Sequence, residues 1–546
     1  MNKYIKHSIL GLAMALSLSA CLKDLDQEPI DPDSFTEKDV FKNATEAKSA
    51  LAKIYASLSL TGQKGPSGDG DIAGADEGST GYTRVQFYLQ EASTDEAIIR
   101  WSDAGVPDFH NMTWTPSNPF TNAYYNRLGQ QIAFANSFID NAQALASDPE
   151  VAYYIAEARF IRAYAYYNVI DAYGKAPLIT SSKADLKPTQ NSRAELFNFV
   201  ESELKDLETK LKAARANEYG RVDAVAAQAL LARLYLNAKV YIGVDKYTDC
   251  ITYAKKVIAS SYHLNTTDAN GNGTAYDELF LADNNKNGAQ NEFIFLASFD
   301  GLNTKTYGGT AFIMHGATGG NMNATALGLN GGWGGITVTK EFVNKFEAST
   351  RNGNNEPTAW NDKRAMFHTD GQTFESTDYV KDFTKGGYAT TKFKNITSTG
   401  AAGKDPAKDF PDTDLPLIRL AEVYLTYAEA VLRGGTGGDR ATALGYINQL
   451  RTRAYGSTAG NIADADLTLD FILDERAREL YWEGLRRTDL IRYGKFTNAS
   501  YLWSFKGGAA SGVAVPDYRN LYPIPSDARA ANENLSQNTG CLLYTS

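Results

Sequence analysis

The stretch Ile472–Phe496, ILDERARELYWEGLRRTDLIRYGKF, decides how the rest of the chain is read. It has no proline, and Ile472, Leu473, Leu480, Tyr481, Leu485 and Ile491 recur at roughly helical spacing, which predicts a helix with Gly484 inside it and Gly494 near its end. Glu475, Glu479 and Glu483 make an i, i+4 row, with arginines at neighbouring i+3 positions. A helix facing water does not need so many arginines, whereas one lying across other helices meets their carbonyl ends and carboxylates. Glutamates on one face could do acid/base work. An arginine within a turn of each glutamate favours the other reading, an ion-pair ladder that fixes how the helix docks.

Around this stretch, 546 residues suffice for a large core and for more than one domain. The composition is globular, 43% hydrophobic and 22% charged, and the aromatic share of 12%, with 32 tyrosines, suits contact surfaces that need an apolar body with a polar tip. The net charge is −10 and becomes −12 once Lys3 and Lys6 leave with the leader described below, which argues against nucleic acid and is neutral about sugars. The three cysteines, Cys21, Cys250 and Cys541, form no CxxC pair and have no histidine beside them, which disfavours structural zinc. Cys250 sits on an apolar helical stretch and reads as a buried thiol. There is no GxSxG, P-loop or HExxH, so no catalytic set stands up.

In chain order, residues 1–20 read as an export signal: Lys3 and Lys6, then a short apolar core over 9–18 that is too short to span a membrane. EPIDPD at 28–33 is an extended tether. Helix is expected over about 45–60, 117–260 and 415–496, including the pair 117–145 and 148–173, then 192–211, 221–242, 247–258, 415–431 and 442–455. Between these lie two loop-rich regions, about 61–116 and 262–414. The first contains the glycine-rich run 61–82 and then an alternating stretch near 83–88; the second offers short strands at 293–299 and 336–339. Paired helices of this size resemble tetratricopeptide (TPR) units, although the strict 34-residue consensus is absent.

Several stretches carry a more specific resemblance. ERxxELxxEGxRxxDLIR at 475–492, EARFIRAYAYYNVIDAYGKAPL at 157–178, LPLIRLAEVYLTYAEAV at 415–431 and NLYPIPSDARAANENLSQN at 520–538 together resemble the SusD/RagB family over essentially 21–540. Leu18-Ser19-Ala20-Cys21 resembles the lipobox of bacterial lipoproteins, and Asp24 and Asp26 after it resemble the signal that sends such lipoproteins to the cell surface in Bacteroidetes; the alternative is an ordinary secretory signal with a chance cysteine. The resemblance implies a mostly α fold, a TPR-like scaffold of helix pairs with a loop-rich, few-stranded ligand-binding region. It implies a non-enzymatic lipoprotein, acylated at Cys21 and anchored in the outer membrane, that holds nutrients for a SusC-like TonB-dependent transporter.

Sugar rings have apolar C–H faces that pack on indole or phenol rings, and hydroxyls that need polar groups at the ring edge. Loop tryptophans such as Trp101, in RWSD, and Trp333, in GGWGG, therefore have a reason to be exposed, the alternative being that each plugs a local core. Within the family the loops are most similar to its starch-binding branch: TGQKG at 61–65, DEG at 76–78, Tyr82-x-Arg84 and TDE at 94–96 fall in the same order. The match implies that Trp101 stacks on the glucan, that Arg84 contacts sugar hydroxyls and that Asp76 lies beside it. Ala104 departs from the pattern, standing near where the relatives have a sugar-binding asparagine. Trp333 and Tyr307 are candidates for further platforms. The expected function is capture of an α-glucan such as starch or maltooligosaccharide, with another glycan, a peptide, or a carbohydrate-active enzyme as alternatives.

Two further expectations remain. Asp268, Asn270 and Asn272 form the first half of an EF-hand loop, D-x-N-x-N-G; its twelfth position is Leu279, so Asp277 or Glu278 would have to complete the oxygen cage. Asp283–Gly288 repeats the pattern, and both could equally be polar turns, although structural Ca²⁺ occurs in the family. At the other end, CLLYTS at 541–546 does not fit what precedes it. It matches the translated end of a transposon used for sequencing libraries, and is expected to be an assembly artefact whose Cys541 pairs with nothing.

Overall fold

The computed structural model describes residues 40–68, 70–376 and 382–541. The leader, Cys21 and the tether as far as residue 39 lie outside the described residues, as does 542–546. In chain order the main helices are α1 (Ala44–Ala56), α2 (Tyr82–Gln90), α3 (Pro119–Ala142), α4 (Pro149–Ala172), α5 (Arg193–Leu207), α6 (Ala224–Leu236), α7 (Tyr247–Ile258), α8 (Thr310–Ala317), α9 (Leu420–Leu432), α10 (Arg440–Tyr455), α11 (Leu469–Leu480), α12 (Arg486–Arg492) and α13 (Ser526–Ala531).

Local chemistry sets many of the starts. Asn118 and Asp148 cap α3 and α4 through side-chain oxygens that accept backbone N–H groups, and a proline follows each at the first helical position, where its missing N–H leaves no bond unmade. Ser192 and Glu195 close a reciprocal capping box on α5. Neighbouring helices pack in pairs, α3 on α4, α4 on α5, α6 on α7 and α9 on α10. Ala227, Leu231 and Leu234 of α6 are buried in these contacts, as is Cys250 of α7, whose thiol is pushed up by burial. The sequence expectation of a mostly helical scaffold of helix pairs holds.

Strands are short and antiparallel: β1 (Ile98–Ile99) pairs with β3 (Ile336–Thr337), and β2 (Phe293–Ala297) with β4 (Leu415–Arg419). Three expectations need correction. Residues 415–419 are strand rather than helix, because a fully buried LPLIR run with a proline completes a ladder with β2 and leaves α9 to start at Leu420. The alternating stretch near 83–88 is the helix α2, buried along most of its length, so an all-round interior replaced the polar face that periodicity needs. The C-terminal segment 520–538, whose prolines by themselves predict no helix, carries the short helix α13 just after Pro525, a residue that forbids helix only on its N-terminal side.

The largest correction concerns Ile472–Phe496, which is two helices and a corner. Trp482 has φ +64° and Gly484 φ +81°, both left-handed, and for an indole-bearing residue that conformation is strained. The corner is held from α2 and the loop after it. Glu91 Oε1 accepts N–H groups from Gly484 (2.6 Å) and Leu485 (3.1 Å), and Trp482 Nε1 donates to the Glu96 carbonyl (3.2 Å).

The glutamates of the stretch do form an ion-pair system, mostly with distant partners. Glu475 pairs with Arg364 (2.8 Å), Arg451 (2.9 Å) and Arg478 (2.7 Å). Glu479 pairs with Arg419 (2.6 Å), Arg364 (3.1 Å) and Arg453. Glu483 pairs with Arg419 (2.7 Å) and Lys392 (2.8 Å), and Glu292 closes the lattice on Arg419 (2.9 Å) and Arg453 (2.6 Å). Burial opposes ionisation of Glu475 and Glu479, but the surrounding guanidinium groups outweigh it and hold both carboxyls below the usual range. From the same stretch, Arg486 grips Asp95 (2.7 Å), Arg487 meets Asp171 (3.1 Å) and Arg492 meets Glu429 (2.6 Å).

These observations predict a sharp contrast. Glu479→Ala takes one carboxylate from each of the buried Arg419, Arg453 and Arg364, leaving the lattice short of negative charge, and should cost about 3–5 kcal/mol. Asp470→Ala breaks only the exposed pair with Lys495 and should cost roughly 0–1 kcal/mol. Denaturant titration of both variants checks this; equal midpoints would refute the view that the buried lattice docks the Ile472–Phe496 stretch on the rest of the chain.

Candidate functional site

Trp101 and Trp333 lie far apart in sequence and meet through the β1–β3 pair. Ile99 faces Ile336, and Arg100 N donates to the Gly335 carbonyl at 2.7 Å, so the residues just beyond each strand end are neighbours. Buried Arg100 pins the pair further, with Nε to Thr337 Oγ1 (3.2 Å) and Nη2 to Ser376 Oγ (2.7 Å) and the Gly386 carbonyl. The indoles then stand 6.3 Å apart at 51°. Gly335 is required here, since a Cβ on it would lie 2.1 Å from Cε2 of Trp101. The glycine run around Trp333 is thus a surface on which the first indole lies.

Trp333 is 37% exposed, and no side chain of its own loop covers it. Its loop is tied to the C-terminal end of α8, where helix carbonyls have no helical partners: Trp333 N donates to the His315 carbonyl (2.7 Å), Gly335 N to that of Gly316 (2.8 Å) and Gly334 N to that of Thr318 (2.8 Å). Tyr307 continues the row, 6.2 Å from Trp333 at 56°, with Phe410 behind it at 5.1 Å. The three rings form an arc of tilted aromatic faces.

The polar candidates line the same arc. Arg84, on α2, lies with its guanidinium 4.8 Å from the Phe312 ring and 5.4 Å from that of Trp101. Its Nε donates to Tyr88 Oη at 2.9 Å and Nη1 to the Gly78 carbonyl at 3.4 Å. Asp76 sits two residues before Gly78, where an added Cβ would touch both the Asp76 carboxylate and Tyr307. Partial burial would raise the Asp76 carboxyl, but hydrogen bonds from Ser79 and Gly78 and the charge of Arg84 outweigh it and hold it ionised, below the usual range. Trp101, Trp333, Tyr307, Arg84 and Asp76 therefore converge on one surface. Ala104 and Asp103 are exposed in the loop just after Trp101, and Asp103 adds to the burial that raises the Tyr88 phenol.

Sequence reasoning missed what stands behind the arc: Phe312 and His315 on α8, Tyr88 on α2, and Phe410. The available signal was the apolar run 310–317 closed by the ATGG turn, which reads as a short buried helix once glycine is taken as a helix stop.

The Asp268 loop is elsewhere. Asp268 accepts N–H groups from Asn272 (3.0 Å) and Gly273 (2.9 Å), and Glu278 Oε1 accepts Asn270 N (2.7 Å). The side-chain amides of Asn270 (3.0 Å) and Asn272 both donate to Asp277 Oδ2, while Asp277 Oδ1 is buried with no donor among the described residues. Burial, with Asp277 and Asp283 nearby, pushes Glu278 up to about 7. The second D-x-N-x-N-G turn uses Asp283 to accept from Ser398 N (2.9 Å) and Oγ (2.7 Å). Among the described residues no three His, Cys, Asp or Glu side chains are arranged as a metal cage. No described helix is long and apolar enough to cross a membrane. Cys541 and Cys250 are free thiols.

Comparison with known proteins places these features in context. Residues 291–540 match the profile of the SusD family, and residues 70–236 a profile described as starch-binding associating with outer membrane. The chain is 36% identical to the starch-binding protein SusD of Bacteroides thetaiotaomicron over 99% of both chains, and 24% identical to SusD-like protein P38 of Formosa agariphila over 88% of this chain and 89% of that one. Among solved structures, a SusD-like carbohydrate binding protein of Bacteroides fragilis superposes with a TM-score of 0.68 at 18% identity, covering 91% of this chain and all of the other. Surface glycan-binding protein A of Bacteroides fluxus gives 0.66 at 20% identity, over 91% and 99%. The two superpositions concern the fold alone.

Proposed function

The chain belongs to the SusD family, whose binding proteins are non-catalytic, and from that premise we propose that it captures starch-type α-glucans at the cell surface and hands them to a SusC-like TonB-dependent transporter. The observation that carries the reading is the convergence of Trp101, Trp333 and Tyr307 into one open arc with Arg84 and Asp76 at its edge. Tilted rings offer successive apolar faces to successive sugars of a curved chain, and a guanidinium beside a carboxylate supplies hydroxyl acceptors and donors at the ring edge. The 36% identity to a starch-binding relative supports the α-glucan, and the exposed Ala104 is the position at which preference within glucans would differ.

Affinity electrophoresis against a polysaccharide panel tests the ligand class, with retardation by starch, amylopectin or pullulan expected; retardation only by unrelated glycans, or by none, overturns the α-glucan reading. In calorimetry with maltoheptaose, Trp101→Ala should lose about 1–3 kcal/mol, roughly 5–150-fold in affinity, and unchanged affinity would end the stacking role of Trp101.

The anchor is proposed to be acyl chains on Cys21, since several chains at about 0.8 kcal/mol per buried CH₂ hold a protein on a bilayer firmly. Cys21→Ser is expected to move the protein from the membrane to the soluble fraction; continued detergent-dependent retention would rule out Cys21 as the sole anchor.

The Asp268 loop is proposed to hold a structural Ca²⁺ with Asp268, Asn270, Asn272, Asp277 and Glu278 as the oxygen donors. Two features of the loop support it: the buried Oδ1 of Asp277 that no group serves among the described residues, and the gathering of Asp277 and Asp283 around Glu278, which adds to the burial that raises its carboxyl. The ion would supply positive charge there and nothing to ligand capture. EDTA should then lower the melting temperature and Ca²⁺ restore it, because an ion bound only to the folded state stabilises by mass action. Superimposable melting curves would leave these loops as polar turns.

A further inference from the structure

Trp333 owes its position to something other than its own loop, whose flanking residues are glycines. The ring behind it is His315, stacked at 5.0 Å and 17° from parallel. His315 is buried and grips two separate segments by its two ring nitrogens: Nδ1 lies 2.7 Å from the carbonyl oxygen of Gly331, in the Trp333 loop, and Nε2 3.0 Å from that of Asp409. The next residue, Phe410, is the ring that backs Tyr307. One imidazole at the end of α8 thus touches the support of two platforms, Trp333 and Tyr307. On the solvent side the same two segments are clasped again, by Asn330 Nδ2 donating to Asp409 Oδ1.

We propose that His315 is a positioning residue for the ligand arc, holding the Trp333 loop and the Asp409–Phe410 segment at fixed spacing so that the Trp333 and Tyr307 faces are preorganised; its consequence for affinity rests on the glycan reading above. The physical reason is that a glycine-flanked loop has large conformational freedom, and freezing it on ligand arrival would subtract from affinity. The ring removes that freedom beforehand, with one flat face for the indole and, in the form that carries a proton on both nitrogens, an N–H for each of the two backbone carbonyls.

The test compares His315→Phe, which keeps a flat ring under Trp333 and loses both polar contacts, with His315→Ala, which loses the ring as well. Asn330→Ala, a surface change that opens only the outer clasp, serves as a further variant should a buried one fail to fold. The first readout needs no ligand. Two indoles 6.3 Å apart at 51° give an exciton-coupled circular dichroism band, assigned as the band that Trp333→Phe removes. It should weaken in both His315 variants and less in Asn330→Ala. The second readout is calorimetry of the full chain with maltoheptaose, where His315→Phe should bind at least about fivefold more weakly, since it frees the Gly331 and Asp409 carbonyls from the ring, with His315→Ala weaker still. A band and an affinity unchanged in all three variants would overturn the proposal. A band that weakens in a protein that binds no maltooligosaccharide at all would uphold the positioning and refute the glucan reading instead.

Discussion

Arg419 ends a buried strand and carries a charge into a place that water does not reach. A guanidinium there is tolerable only if carboxylates surround it, and Glu292, Glu479 and Glu483 do so, with Arg453, Arg364 and Lys392 extending the alternation of charge. The partners come from segments as far apart as 292 and 483, so the lattice cannot form until those segments are together. A buried ion lattice of this kind adds little net stability over an apolar core of equal volume. What it adds is selectivity, because any other docking of the C-terminal helices leaves charges unpaired in the interior.

That selectivity reaches the ligand surface through the corner between α11 and α12. The corner takes its left-handed residues from Trp482 and Gly484 and its hydrogen bonds from Glu91 and Glu96, which follow α2. Helix α2 carries Arg84 and Tyr88, and Arg486 beyond the corner holds Asp95, just before β1. Strand β1 in turn delivers Trp101. The ion-paired interior and the exposed arc are therefore linked by a short run of chain, 84–101, whose ends, Arg84 and Trp101, serve the arc and whose middle, Glu91 to Glu96, holds the corner.

The arc shows how rings are kept exposed in a protein that could have buried them. Glycines at 331, 332, 334 and 335 remove the side chains that would cover Trp333, and a Cβ at 332 or 335 would collide with the Thr318 carbonyl or with Trp101. The exposed face of each ring is balanced by a packed one, Phe312 behind Trp101, His315 behind Trp333 and Phe410 behind Tyr307. Rings held from behind lose little freedom when a ligand arrives.

The sequence by itself determined the helical scaffold, because the caps at Asn118, Asp148 and Ser192 and the apolar periodicity are local properties. It also determined the family, through long motifs, and the candidate residues Trp101, Arg84, Asp76, Trp333 and Tyr307. Only the tertiary structure decided that these five share one surface, since Trp101 and Trp333 meet through strand pairing and Asp76 approaches Tyr307 across Gly78, contacts that leave no periodic trace. It alone decided that 415–419 is strand, that 82–90 is helix and that 472–496 turns a corner: each is buried on more than one side, and burial from all directions erases the polar–apolar alternation by which elements are read. The ladder of glutamates was legible as charge; its partners were not, because a buried ion pair is a statement about which distant segments meet, and spacing along the chain carries no record of that.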